Sequence, residues 1–147
     1  MSIDLSQAKA IIAAAHQKAV EVGKPITVVV VDSGGFPVAS ERMDGARPLT
    51  TSIATAKAYT AAVMQRPTRM LKGWADSQPT FFSQVSRMGH HPIVATDGGL
   101  TIKKNGQIIG GVGVAGGTGE DDQDIAVAAL LACDYELDFA EWNSVKR

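Results

Sequence analysis

The stretch from Gly98 to Ala126, GGLTIKKNGQIIGGVGVAGGTGEDDQDIA, constrains the fold more than any other part of the sequence. It holds nine of the chain's fifteen glycines. Within it an apolar, β-prone run (Ile108, Ile109, Val112, Val114) ends in Gly116-Gly117. Four acidic residues, Glu120, Asp121, Asp122 and Asp124, then crowd the start of an apolar helix. A strand that feeds a helix through such a loop gathers backbone N–H groups and a positive helix end around a small space. Acidic residues in a first helical turn also suit that positive end by themselves, so the plain reading of the cluster is capping.

The 147 residues are expected to form a single domain, residues 1–147. At this length folding buries roughly 68–70% of the unfolded chain's surface, so a core forms without disulfides or metal. Hydrophobic residues make up 45% and charged residues 20%, near the globular norm. The net charge of −1 and the lack of a basic block argue against nucleic acid or an anionic membrane as partner. Cys133 is the lone cysteine; it sits in an apolar helical pattern and reads as a small buried residue rather than a nucleophile. No basic region followed by an apolar one opens the chain, and no run approaches the roughly 18 apolar residues of a membrane span. The expected location is cytoplasmic.

Residues 4–22 read as an amphipathic helix, with Leu5, Ala8, Ile12, Ala15, Ala19 and Val22 on one stripe. Asp4 is its N-cap, with Gln7 three residues on, and Gly23 and Pro25 end it. Ile26–Val31 is a β-branched run short enough for a buried strand. Asp32-Ser33-Gly34-Gly35 turns it into a second strand, Phe36–Glu41, which Pro37 marks as an edge. After the Arg42–Ala46 loop, Pro48 opens a helix to about Met64. Shorter helical pieces are expected at 68–76 and 79–88. His90-His91-Pro92 imposes an extended segment. Strands are expected near 93–95, 99–104 and 107–115, the last two joined by an Asn105-Gly106 hairpin turn, and a last helix near 120–139. The order α-β-β-α-(α)-β-β-β-α predicts an α/β protein of the α+β type, profilin-like in arrangement, with a five-stranded antiparallel sheet flanked by helices.

His16 lies at the border of the first helix's apolar stripe, among Ala13, Ala14, Ala15 and Ala19. Such a histidine is a surface residue, a packed one, or a ligand facing a shallow groove that a flat partner could approach. His90 and His91 are adjacent in an extended segment, which aims them at opposite faces and keeps them from sharing one ion. Lys57 interrupts the apolar face of its helix. It either snorkels to water or, buried beside Arg42 or an acid, serves a carbonyl or anion. Arg42 and Asp44 in the Arg-Met-Asp-Gly sequence form a local brace, or Arg42 offers its guanidinium to a carboxylate. Ser33-Gly34-Gly35 is a turn rather than a nucleophile elbow. The glycines at 110–119 fall within and after a hairpin strand, not in a βαβ unit, so they are no dinucleotide loop. Trp74, Trp142, Phe81 and Phe82 read as core or interface anchors.

Several segments together resemble one family. They are Val29–Gly35, Glu41-Arg42-Met43-Asp44-Gly45-Ala46, Ala56-Lys57-Ala58-Tyr59-Thr60-Ala61, Asp97-Gly98-Gly99, and Gly110–Gly117 followed by Glu120-Asp121 and Asp124. Across nearly its whole length the chain resembles the GlcG/HbpS-like, or haem-degrading domain, family, which includes the C-terminal domain of PduO-type corrinoid adenosyltransferases. The resemblance implies the same helix-flanked five-stranded antiparallel sheet, homo-oligomers from dimers to octamers, and in some members haem held by a histidine on the first helix. His16 is the one histidine on that helix here. The chain departs from the family pattern in Leu100-Thr101 before Ile102, where the family has x-Pro, and in Ala115, where it commonly has Ser. His90-His91 and Phe81-Phe82 also depart from it.

Three readings follow. In the favoured one the protein binds haem, another tetrapyrrole or a small ligand, with His16 on the iron and Arg42 or Lys57 meeting the propionates. In the second it is an enzyme of small-molecule catabolism acting on an organic acid or carbonyl compound. Arg42 or Lys57 would then hold the anion, and His16, His90, His91, Glu120 or Asp121 would move protons. In the third it is an oligomeric accessory protein without chemistry. Ligand binding is accordingly expected to fall on His16, Arg42, Asp44, Lys57, His90, Glu120 and Asp121.

Overall fold

The computed structural model describes residues 1–137. Helix α1 spans Leu5–Val22 and is followed by strands β1 (Thr27–Asp32) and β2 (Pro37–Arg42). Helix α2 spans Thr50–Met64. A 3-10 turn at Thr68–Leu71 and two short helices, α3 (Lys72–Ser77) and α4 (Pro79–Val85), lead to strands β3 (Gly99–Lys104) and β4 (Gln107–Ala115) and helix α5 (Gly119–Ala132). The sheet has four antiparallel strands in the order β2-β1-β4-β3, not the expected five. The missing strand is the 93–95 segment. Its amides are satisfied elsewhere: Ile93 N donates to Ser86 O at 3.2 Å and Val94 N to Thr60 Oγ1 at 3.0 Å. With those donors committed to a helix end and a side chain, the segment has no ladder to join.

β1 lies inside the sheet and is buried on both faces, which explains its uninterrupted valines. Val28 and Val30 face α1 and α5, in one core with Ile11, Ile102, Ile125 and Leu130. Val29 and Val31 face α2, in a second core built from Ala54, Ala58, Ala62 and Ala115. The sheet is thus sandwiched, with α1 and α5 on one side and α2 on the other.

Two of the three glycines of β4 make room for α2. A Cβ on Gly113 would collide with Ala54 O, and one on Gly111 with Ala58 O. The helix backbone therefore rests directly on the strand, which is possible only where neither strand residue has a side chain. Asn105 and Gly106 both take positive φ, 53° and 77°, as a type I′ hairpin turn requires.

α1 starts as read. Asp4 accepts from Gln7 N at 2.8 Å and Gln7 returns the bond to Asp4 N at 2.9 Å. α5 ends at Ala132, short of the expected 139. Asp134, at φ 62°, turns the chain off the helix, and Glu136 N then donates to Lys103 O on the edge of β3 at 3.1 Å. Residues 138 and 139 and Trp142 lie outside the described residues. No helix among the described residues is long and apolar enough to cross a membrane.

Candidate functional site

His16 faces the seam between α1 and β2. Its Nδ1 stands 3.4 Å from the Glu41 carboxylate, and the side chain is 28% exposed. Its Nε2 is shielded from solvent and has no hydrogen-bond partner among the described residues. A nitrogen left so costs about 1–3 kcal/mol. When Nδ1–H donates to the carboxylate, the lone pair is fixed on Nε2, the tautomer that a metal-binding imidazole needs. Exposed Ala13 and Val20, three residues before and four after His16, flank it with apolar surface.

The strand register decides which other candidates can join His16. Glu41 pairs with Val28, on the α1/α5 face, whereas Arg42 pairs with Thr27, whose hydroxyl meets Thr50 of α2 at 2.7 Å. Arg42 therefore projects on the α2 face, away from His16. Among the described residues neither Arg42 nor Asp44 makes an ion pair, so the local brace is not formed.

Lys57 is buried on the α2 face, beside an acid as one reading required, but the acid is Asp122 and Arg42 is not with it. Lys57 Nζ donates to Asp122 Oδ2 at 3.0 Å and to Val114 O at 2.7 Å, and both side chains are 5% exposed. Val114 N bonds Gly98 O at 2.9 Å. The carbonyl of Val114 points to the same side of the strand, where β3 has run out, and the lysine takes it. Asp122 also accepts from Gly117 N at 2.9 Å, and Gln123 accepts from Gly98 N at 2.9 Å. Burial pushes the Lys57 ammonium below its ordinary value, opposed by Asp122. Burial likewise pushes the Asp122 carboxyl up, opposed by Lys57 and the Gly117 N–H.

The acidic cluster therefore divides its labour. Asp121 forms a capping box with Thr118, at 3.0 and 3.1 Å, and lies 3.8 Å from Lys24. Glu120 is exposed in the first turn of α5. Asp122, which the sequence reading counted only as a cap, is the one that enters the interior.

The adjacent histidines do not diverge as expected. Residues 90 and 91 form a bend, and both rings pack on Tyr59, with centroids 4.5 and 5.3 Å away. His90 also stacks on Phe36 at 4.5 Å with a 6° interplanar angle, and its Nε2 lies 3.3 Å from Gly35 O. Burial, with some help from His90, pushes the His91 pKa down. Trp74 packs against Phe82 at 5.0 Å and Phe81 at 6.0 Å beside the cluster of Tyr59, Leu71 and Ile93. Among the described residues no group of three or more His, Cys, Asp or Glu side chains is placed to hold a metal ion.

The groups expected to share one pocket thus lie apart: His16 on the α1 side, Lys57 under α2, His90 against Tyr59, and Arg42 and Asp44 at the end of β2. Two residues missed by the sequence reading, Arg47 and Asp122, do share a cleft of about 270 Å³ with Lys57. The spacing of Lys57 and Asp122, 65 residues apart, carried no signal of their contact.

This fold and these segments are those of a known family. The family model for the haem-degrading HbpS-like proteins matches residues 3–131. The chain belongs to that family. It is 35% identical to a 15.0 kDa protein from the dhaT–dhaS intergenic region of Citrobacter freundii, over 88% of this chain and 90% of that one. It is 30% identical to the corrinoid adenosyltransferase PduO of the same organism, over 90% of this chain but only 39% of PduO. Among solved structures, a PduOC–haem complex superposes with a TM-score of 0.82 at 28% identity, covering 92% of this chain and 98% of that one.

Proposed function

We propose that this protein binds haem, or a related tetrapyrrole, with His16 as the iron ligand. One observation carries the reading: His16 has its Nδ1 turned to the Glu41 carboxylate and its Nε2 without a hydrogen-bond partner. Carboxylate–imidazole pairs of this kind orient a metal-ligating ring and raise its basicity. The structural likeness to the PduOC–haem complex supports it. Nε2 is covered in this structure, so the ring must shift for iron to reach it; its partial exposure and its small neighbour Ala13 leave room for that. Bound haem would supply a redox-active iron, and the chain would supply the ligand, its tautomer and the flanking apolar surface of Ala13 and Val20. Arg42 and Lys57, on the opposite face of the sheet, do not meet a haem held by His16 of the same chain.

Titration with haemin, followed by absorbance, tests this. The wild type is expected to give a saturable, stoichiometric Soret band that His16→Ala abolishes. Glu41→Gln should weaken binding by about 10–100-fold, the usual effect of losing the carboxylate behind a ligating histidine. An His16→Ala variant that titrates like the wild type overturns the assignment.

A further inference from the structure

We propose that the cleft above the Lys57–Asp122 pair is a second ligand site, built for a short organic acid carrying an oxygen on the carbon next to its carboxylate. It lies on the α2 face and is independent of the haem reading. Its floor is the buried ion pair and the Ala115–Gly117 backbone; its walls are Leu49, Thr50 and Ile53; Arg47 sits at its rim.

Charge selects the ligand's sign. The two floor charges cancel as a pair. Arg47 has no ion-pair partner among the described residues, and its planar guanidinium suits bidentate contact with a carboxylate. The N-terminus of α2 opens onto the same cleft, and its N-cap, Leu49, supplies no side-chain hydrogen bond. The rim is therefore net positive.

The floor selects the ligand's other end. An ammonium has three N–H donors. Lys57 commits one to Val114 O and one to Asp122, and the third has no acceptor among the described residues. An oxo or hydroxyl oxygen beside the carboxylate supplies it. Burial shifts the Lys57 pKa down and the Asp122 pKa up, as is common for paired groups at functional sites.

Size sets the limit. At about 270 Å³ the cleft is below the roughly 300–1,000 Å³ of typical drug-sized pockets, so it takes a molecule of a few carbons and excludes a macrocycle. Leu49 and Ile53, both exposed apolar side chains at the lip, gain cover when such a ligand is bound.

Calorimetric titration of the haem-free protein with pyruvate, lactate and propionate tests the site. Pyruvate or lactate should bind saturably. Propionate, which lacks the oxygen on the carbon next to the carboxylate, should bind at least about tenfold more weakly, a difference of about 1.4 kcal/mol. Lys57 is buried and its replacement could unfold the chain, so the decisive variants are at exposed positions. Arg47→Gln and Ile53→Trp, the latter filling the cleft, should each weaken binding at least about tenfold, while His16→Ala leaves it unchanged. The proposal is overturned by no saturable heat up to ~10 mM of either acid, by propionate binding equally well, or by unaltered affinity in both cleft variants.

Discussion

The two faces of the sheet are packed by opposite rules. Toward α1 and α5, large side chains such as Ile11, Ile109 and Leu130 interdigitate with Val112 and Val114. Toward α2, alanines lie on the bare backbone of Gly111 and Gly113. The first face holds through apolar area, so it suffers when side chains are trimmed. The second holds through close approach, so it suffers when anything is added. Only the second brings a helix near enough for a lysine to take a strand carbonyl, Val114 O, at 2.7 Å. The polar chemistry follows the same division: His16–Glu41 sits at the seam of the loosely approached face, Lys57–Asp122 beneath the tightly approached one.

Neighbouring residues 112 and 113 give the sharpest way to break that contrast, since they face opposite cores. Gly113→Val should cost more than about 3 kcal/mol and largely prevent folding, because the new side chain meets the Ala54 carbonyl. Val112→Ala, on the other face, should cost about 2–3 kcal/mol by leaving a cavity. Denaturant unfolding of both settles it; a Gly113→Val protein as stable as the wild type would refute the backbone-contact account.

The buried pair offers the next largest effect. Lys57→Met leaves Asp122 charged and unpaired and should cost about 3–5 kcal/mol. Adding Asp122→Leu should restore most of that loss. If the double variant is no more stable than the single one, the cost lies in the lost Val114 contact rather than in the stranded charge.

A smaller, pH-dependent effect should come from the salt bridge that ties the 3-10 turn and α3 to the start of β3. Burial pushes the Asp97 carboxyl up, but Arg69 at 3.2 Å and Lys72 at 2.7 Å outweigh it and hold the group below the ordinary carboxylate range. A folded-state pKa below the unfolded one adds stability that is complete well above the unfolded value and is lost as pH falls through about 4 toward the folded value. Thermal melts between about pH 6 and about pH 3 should therefore show a fall in Tm that Asp97→Asn flattens. An unchanged slope in Asp97→Asn would assign the acid sensitivity elsewhere.

The smallest effect is expected at His90. Removing its stack on Phe36 with His90→Ala should cost about 1 kcal/mol, since both rings are exposed. A loss several times larger would mean that the histidine bend, and not the Gly–Ala contact alone, holds α2 against the sheet.

Much of this was legible in the chain. The first helix, its Asp4 cap and its glycine stop follow from local chemistry, as do both hairpins and the bounds of β3 and β4, because period, turn residues and caps act over a few neighbours. The 93–95 segment reads as a strand by composition yet pairs with no strand among the described residues, since the Ser86 carbonyl at the end of α4 and the Thr60 hydroxyl, 34 residues back on α2, take its amides. His16 could be singled out from its place on α1 and from the family resemblance. Its Glu41 partner could not, because that contact joins a helix to a strand of different period.

The sequence by itself determined most of the elements, though not the fate of residues 93–95 or the end of α5, and that β1 is buried, since a run of valines has no polar face to offer water. It also showed that glycines gather in β4, but not what they were for, and it read the acids at the head of α5 as caps, which holds for Asp121. Tertiary structure decided the rest: Gly111 and Gly113 admit the backbone of α2, and Asp122 meets Lys57. It also set Arg42 and His16 on opposite sides of the sheet, because the face on which a strand side chain emerges depends on its register with the next strand, and that register is fixed only when the whole sheet assembles.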